Sequence, residues 1–324
     1  MIYLDNNSST PTDENIVKTM HGFYSENYGN PHSHTHMKGI NANLEIEKSR
    51  QKIANYFNAP KEGVVFTSGA TESNNLAITG YIKKAKKDGI NRKKVFCSAV
   101  EHKCVLECIQ NAKAYGLEAH ILKVDSQGKL DLDYAQECID EDTLLVSIMA
   151  TNNETGIDLQ IEEIGKMCND NGVFFHSDIA QSLHHKLFDI ENSFIDIVSI
   201  SGHKIYGPKG VGALICKEEP ILNLEPLMLG GYQEAEIRSG TLPTNLCVGL
   251  GEAVDLLSKN KNIYYTHYKS LRDKLWNLLS KSIEGLQKNS LFIAKSIKVY
   301  DSGIIKTDIL LTLGYVTSDA PKYI

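Results

Sequence analysis

Short apolar runs alternate along this chain with longer stretches in which apolar residues recur every three or four positions. The short runs, rich in Val, Ile, Leu and Phe, predict strands at 64–67, 94–100, 119–125, 143–150, 173–177, 196–200 and 211–216. The three-to-four spacing predicts helices at 42–57, 72–87, 103–115, 132–139, 161–171 and 245–258. Alternation of this kind buries strands between two helical layers. The expected fold class is therefore α/β, with a mainly parallel seven-stranded sheet flanked by helices on both faces. Past residue 258 the pattern changes: Ser258-Lys259-Asn260-Lys261-Asn262 reads as a break. An amphipathic helix is expected from about Tyr264 to Glu284, then weak strand material from Ser290 to Tyr300. No internal repeat or low-complexity tract interrupts the chain.

The ends of the predicted strands carry the candidate chemistry, at the edge where open α/β sheets place their ligands. Phe194 to Ile200 runs into Ser201-Gly202-His203-Lys204-Ile205-Tyr206-Gly207-Pro208-Lys209-Gly210, and Val173 to Phe175 runs into His176-Ser177-Asp178-Ile179-Ala180-Gln181. A lysine and an aspartate from neighbouring strand ends are what a pyridoxal phosphate site needs. The amine forms a Schiff base, and the carboxylate keeps the pyridine nitrogen protonated so that the ring draws electrons. A surface lysine and a helix-capping aspartate would read the same way. Val64-Val65-Phe66-Thr67-Ser68-Gly69-Ala70-Thr71-Glu72-Ser73-Asn74-Asn75 is a strand, a small-residue turn and a helix start. Free N–H groups, the positive end of the helix and the Thr71 and Ser73 hydroxyls suit a phosphate there, although an ordinary helix cap looks similar. Ala99-Val100-Glu101-His102-Lys103 adds a strand-end histidine able to stack on a ring or carry protons, or simply to serve the structure.

Composition narrows the classes. With 34 basic and 40 acidic side chains the net charge is −6, which argues against general nucleic-acid binding. No apolar run is long enough to span a bilayer, and Met1-Ile2-Tyr3-Leu4-Asp5 is neither a signal peptide nor an Arg-rich transit peptide. A cytoplasmic location is expected, or a mitochondrial-type organelle if a targeting segment has been removed. The seven cysteines (97, 104, 108, 138, 168, 216 and 247) contain no Cys-x-x-Cys pair and read as reduced core thiols, Cys247 included. Cys104 and Cys108, one helical turn apart, and His32-Ser33-His34-Thr35-His36, lying in a loop between Pro31 and Gly39, are residue types that can ligate a metal, but no metal site is expected from either.

Taken together, these segments resemble the cysteine desulfurases, in the class V aminotransferase group of pyridoxal phosphate enzymes. The likeness runs from Tyr3-Leu4-Asp5-Asn6-Asn7 to about Glu252. It includes Tyr28-Gly29-Asn30-Pro31-His32-Ser33, Glu101-His102-Lys103-Cys104-Val105-Leu106, Asn152-Asn153-Glu154-Thr155-Gly156 and Arg238-Ser239-Gly240-Thr241. The wording is similar to the mitochondrial and α-proteobacterial type that feeds iron–sulfur cluster assembly. The resemblance implies a fold type I transferase with a large cofactor-binding domain at 13–258. The small α/β domain, at 1–12 and 259–324, would be reduced, because the interval from Glu252 to Gly303 is short.

The resemblance also implies roles. Lys204 would carry the pyridoxal 5′-phosphate and move the Cα proton. Asp178 would pair with the ring nitrogen, His102 would stack on the ring, and Gln181 would bond its phenolic oxygen. Ala70, Thr71, Ser201 and His203 would hold the phosphate, with Thr241 reaching it from the partner subunit of a homodimer. Asn153 would sit near the substrate carboxylate. The implied reaction turns L-cysteine into L-alanine, with the sulfur passed as a persulfide toward an iron–sulfur scaffold or another acceptor. Two departures stand out. The family's sulfur-accepting cysteine usually precedes a helix matched here by Ile309-Leu310-Leu311-Thr312-Leu313-Gly314, yet Val299-Tyr300-Asp301-Ser302-Gly303 holds no cysteine and none follows Cys247. The family's carboxylate-binding arginine would come just after Ala320-Pro321-Lys322-Tyr323-Ile324. A relative that binds the cofactor without the sulfur step, or a transamination or β-elimination reaction, therefore stays open.

Overall fold

The computed structural model describes residues 3, 5–282, 297–300 and 308–311. All seven expected strands form: β1 (Val64–Thr67), β2 (Lys94–Ser98), β3 (Glu118–Leu122), β4 (Thr143–Ser147), β5 (Phe174–Asp178), β6 (Ile197–Ser201) and β7 (Gly212–Cys216). They make one sheet in the order β1-β7-β6-β5-β4-β2-β3. Every neighbouring pair is parallel except those of β7, which runs antiparallel to both β1 and β6. The helices are α1 (Glu14–Ser25), α2 (Met37–Phe57), α3 (Ala70–Asn75), α4 (Tyr81–Lys87), α5 (Lys103–Asn111), α6 (Leu132–Cys138), α7 (Ile161–Asp170), α8 (Pro220–Asn223) and α9 (Thr244–Ser282). A π-helical turn, Leu76–Gly80, joins α3 to α4, so the helix expected at 72–87 is continuous but wider for one turn.

Strand periodicity sorts the core into two halves. Because successive side chains point to opposite faces, Phe66, Phe96, Val146, Phe175 and Val198 enter one cluster with α1, α2 and α9. Their neighbours Val65, Val95, Leu145, Phe174 and Ile197 enter the other with the Leu76–Gly80 turn, α4 and α5. Phe57, Phe66 and Phe175 are fully buried, each contributing roughly 1.5–3 kcal/mol over an exposed position. Helix ends follow their capping residues. Asp13 accepts the Asn15 N–H at 2.8 Å to start α1, and His36 Nδ1 accepts the Gly39 N–H at 3.0 Å to start α2. The last of the three histidines at 32–36 is thus employed as a cap.

Two expectations fail. The break at 258–262 is absent, because α9 runs unbroken from Thr244 to Ser282. Those five residues include neither Gly nor Pro. Lys259 pairs with Asp255 one turn back at 2.6 Å, and the Asn260 amide donates to the Leu256 carbonyl at 2.9 Å. Burial ends at Leu257, so the pattern change marks the helix leaving the core, not ending. The helix expected over 309–314 is a strand where it is described. β9 (Asp308–Leu311) pairs antiparallel with β8 (Ile297–Tyr300), and a short apolar run takes whichever state its partner offers. The rest of the segment at 290–300, the 301–303 stretch and 320–324 lie outside the described residues.

Candidate cofactor site

The strand directions place one set of loops together. β7 opposes both of its neighbours, so the C-terminal ends of β1, β6, β5, β4 and β2 share one edge, where β7 begins. A cavity of about 580 Å³ opens there. Its lining includes Ala70, Thr71, His102, Asn153, Asp178, Gln181, Ser201, His203 and Lys204, nine of the ten residues expected from sequence. Thr241 does not line it and is exposed.

Lys204 ends the 3₁₀ turn that follows β6. Its Nζ donates to the backbone carbonyls of Asn7 and Ser8, both at 2.9 Å. This N-terminal strap is itself tied down. Thr10 N–H donates to the His203 carbonyl at 2.8 Å, the Asn7 amide donates to the Asn153 carbonyl, and the Gln181 amide donates to the Asn7 carbonyl at 3.2 Å. The strap therefore connects the lysine with Asn153 and Gln181, on loops from two other strands. The Tyr3–Asn7 segment belongs to the family likeness, but nothing in its residue types signals that its carbonyls receive an amine.

Asp178 closes β5 and is 7% exposed. Its Oδ1 accepts the Ala180 N–H at 3.0 Å and its Oδ2 accepts the Asn74 amide at 2.7 Å. Neutral donors thus hold the carboxylate in place. Beneath it in the same strand, burial drives the His176 imidazole down to about 3. It stays neutral between Ser147 Oγ at 2.8 Å and Ser199 Oγ at 3.0 Å.

The turn after β1 is shaped for close approach. Gly69 has φ +151°, a backbone region that only glycine adopts readily. A Cβ at Gly212 would come within 2.7 Å of the Gly69 Cα, so β7 can pass this turn only as glycine. The first helical bond of α3 runs from Ser73 N–H to the Gly69 carbonyl at 3.1 Å, so the N–H groups of Ala70, Thr71 and Glu72 have no partner within the helix, and Ala70 and Thr71 line the cavity. Glu72 would oppose an anion there, but Arg238 pairs with it at 2.8 Å. Burial favours the neutral acid, yet the bonds from Arg238 and from Ser68 N–H hold its carboxyl below the usual range. The same pair anchors the 238–241 segment beside the site, a link that sequence reasoning missed.

Glu101 and Cys104 were also missed as neighbours of the site. Glu101 is 6% exposed, and its Oε1 accepts from Ser98 Oγ at 2.5 Å and from Met149 N–H at 2.8 Å. Burial pushes its carboxyl up to about 8. Cys104 lines the cavity with Sγ 3.0 Å from His102 Nδ1. Cys247, by contrast, is fully buried in the α9 core as expected.

These residues fit pyridoxal phosphate. An amine stands at one part of the wall and a buried carboxylate at another, and a glycine turn at a helix start lies on the same cavity, where a phosphate suits the chemistry. Among the described residues, no group of three or more His, Cys, Asp or Glu side chains is placed to hold a metal ion.

Residues 2–302 match the family described as aminotransferase class-V. A probable mitochondrial cysteine desulfurase of Dictyostelium discoideum is 43% identical over 288 residues, 89% of this chain and 63% of that protein. Cysteine desulfurase IscS of Rickettsia bellii is 41% identical over 288 residues, 89% of this chain and 70% of that protein. Two solved structures share the fold. A NifS-like protein has TM-score 0.82 and 34% identity over 86% of this chain and 76% of its own. SspA in complex with cysteine has TM-score 0.74 and 37% identity over 79% of this chain and 72% of its own. The chain spans about half to two thirds of the length of the mitochondrial relatives it matches.

Proposed function

We propose, for a chain that belongs to the class-V aminotransferase family and within it to the cysteine desulfurases, that it holds pyridoxal phosphate on Lys204 and removes sulfur from L-cysteine. The observation that carries this reading is the convergence of Lys204, Asp178, His102 and the start of α3 on one cavity. Bound there, pyridoxal phosphate supplies an electron sink that weakens bonds at the Cα and Cβ of an amino acid. Asp178, held by Asn74 and Ala180, keeps that sink charged. Ala70, Thr71, Ser201 and His203 bind the phosphate, and Gln181 bonds the phenolic oxygen. Asn153, positioned by Asn7, meets the substrate carboxylate. Lys204 exchanges its carbonyl contacts for the cofactor and then moves the Cα proton. His102, on the ring face, exchanges protons with the reacting centre.

The balance is simple. An acceptor thiolate forms an S–S bond with the substrate sulfur as the Cβ–S bond breaks. Cβ gains a proton, so alanine leaves and a persulfide remains. The SspA structure with cysteine supports this amino acid as substrate. In this reading the chain works as a homodimer in which Thr241, exposed beside the Glu72–Arg238 pair, reaches the partner's phosphate site. Residues 13–258 are the cofactor-binding unit, with 1–12 and 259–324 as the smaller one. The sulfur goes to an acceptor protein such as an iron–sulfur scaffold. The location is cytoplasmic, or organellar as the mitochondrial relatives' names suggest.

One observation favours a second reading. Of the seven cysteines, Cys104 alone lines the cavity, and its thiol is engaged by Asn74 and His102. A chain that binds the cofactor without the sulfur step, or that catalyses elimination or transamination, also satisfies that geometry. Incubation with L-cysteine decides between them. Alanine together with protein-bound persulfide supports desulfuration, pyruvate supports elimination, and neither product refutes turnover by this chain alone.

A further inference from the structure

Asn74 is fully buried in the first turns of α3, outside the cavity lining. Its single Nδ2 reaches two neighbours, Asp178 Oδ2 at 2.7 Å and Cys104 Sγ at 3.2 Å. Cys104 Sγ in turn lies 3.0 Å from His102 Nδ1. The same Nδ1 accepts Cys104's own backbone N–H at 3.2 Å, as the cap that begins α5. A nitrogen accepting a backbone N–H carries no proton, so the neutral imidazole holds its proton on Nε2. Burial, reinforced by the Asp178 charge, pushes the Cys104 thiol up, which keeps it an S–H able to donate to Nδ1. A continuous path therefore links Asp178, Asn74, Cys104 and His102 along one wall.

We infer that Asn74 and Cys104 are positioning residues for the cofactor, with Asn74 aiming the Asp178 carboxylate and the Cys104 thiol fixing the orientation of the His102 ring. The inference rests on the pyridoxal phosphate reading above. It assigns the one cavity thiol a structural duty, as the partner of Asn74 and His102. Asn74 donates to an ionised group. Removing that bond should weaken cofactor retention roughly ten- to a hundredfold, against two- to tenfold for the neutral contact made by Cys104.

The test uses the cofactor-loaded protein and its Asn74→Leu, Cys104→Ala and Cys104→Ser variants, read by pyridoxal phosphate retention on dialysis and by pH titration of the visible band of the lysine-bound cofactor. With the Asp178 carboxylate no longer aimed by Asn74, the ring nitrogen loses charge and the lysine nitrogen keeps its proton to higher pH. Asn74→Leu should therefore raise the midpoint of that titration, which a mere packing defect would not move. Cys104→Ala should lower retention, and Cys104→Ser, which keeps a donor, should restore it to within about twofold of the parent. If Asn74→Leu does not fold, the Cys104 pair decides alone. No visible band in the parent protein would sink the cofactor reading itself. A band in the parent, with unchanged retention in Cys104→Ala or an unchanged midpoint in Asn74→Leu, would overturn only this inference. So would a persulfide mapped to Cys104 after incubation with L-cysteine.

Discussion

Glu101→Gln should flatten the dependence of stability on alkaline pH. Burial raises the folded-state carboxyl from 4.5 to about 8, so at neutral pH the folded protein holds a proton that the unfolded chain has released. A raised folded value makes a contribution that is complete below the unfolded pKa and lost as pH climbs toward 8. Each pH unit crossed in that window costs about 1.4 kcal/mol, so the parent protein should lose about 3 kcal/mol between pH 6 and pH 9 from this group alone. Oε1 is engaged by Ser98 and Met149, whereas Oε2 is buried with no hydrogen-bond partner, so the proton belongs on Oε2. A glutamine keeps the same shape with a neutral amide there. At pH 6 the variant should already be the more stable by about 2 kcal/mol, and at pH 9 by about 5 kcal/mol, so the gap widens by about 3 kcal/mol across that range. Asp196, raised by burial to about 6, and His176, lowered by burial to about 3, titrate alike in both proteins and cancel in the difference. Urea unfolding of the cofactor-saturated proteins at pH 6, 7.5 and 9 measures this, provided the m-value is constant. Parallel profiles would mean that Glu101 is already ionised in the fold and that its burial has been misjudged.

Lys204→Ala should abolish covalent cofactor attachment, seen as the absence of a reduction-trapped mass increment after borohydride treatment. Arg50→Leu should cost about 3–5 kcal/mol in urea unfolding, because its fork onto Glu234 at 2.9 and 2.6 Å is the charge partner of a carboxylate only 1% exposed. The holoprotein should have a dimeric mass in solution, and Thr241→Val should weaken cofactor retention about tenfold without changing that mass. A monomer that holds the cofactor tightly would contradict the shared site.

The sequence alone determined the layered α/β architecture and, of ten expected site residues, the nine that gather at the cavity. Both rest on local rules. Period-two and period-3.6 patterns report which face each element buries, and Val65 beside Phe66 already implies two helical layers. Lys204, Asp178 and Gly69 follow strands, and parallel strands bring their ends together. The polar run 258–262 misled because polarity reports exposure, and an exposed helix without Gly or Pro simply continues, as α9 does. The run at 309–311 misled because a short apolar segment has no preference strong enough to outweigh pairing with β8. Only the tertiary structure decided which polar groups meet. The strap that receives Lys204, the Glu72–Arg238 pair, the buried acid of Glu101 and the Asn74–Cys104 bridge all join residues from separate elements. Hydrogen bonds of that kind depend on positions accurate to a few tenths of an ångström. Such positions are set by how the whole sheet packs, not by any local pattern.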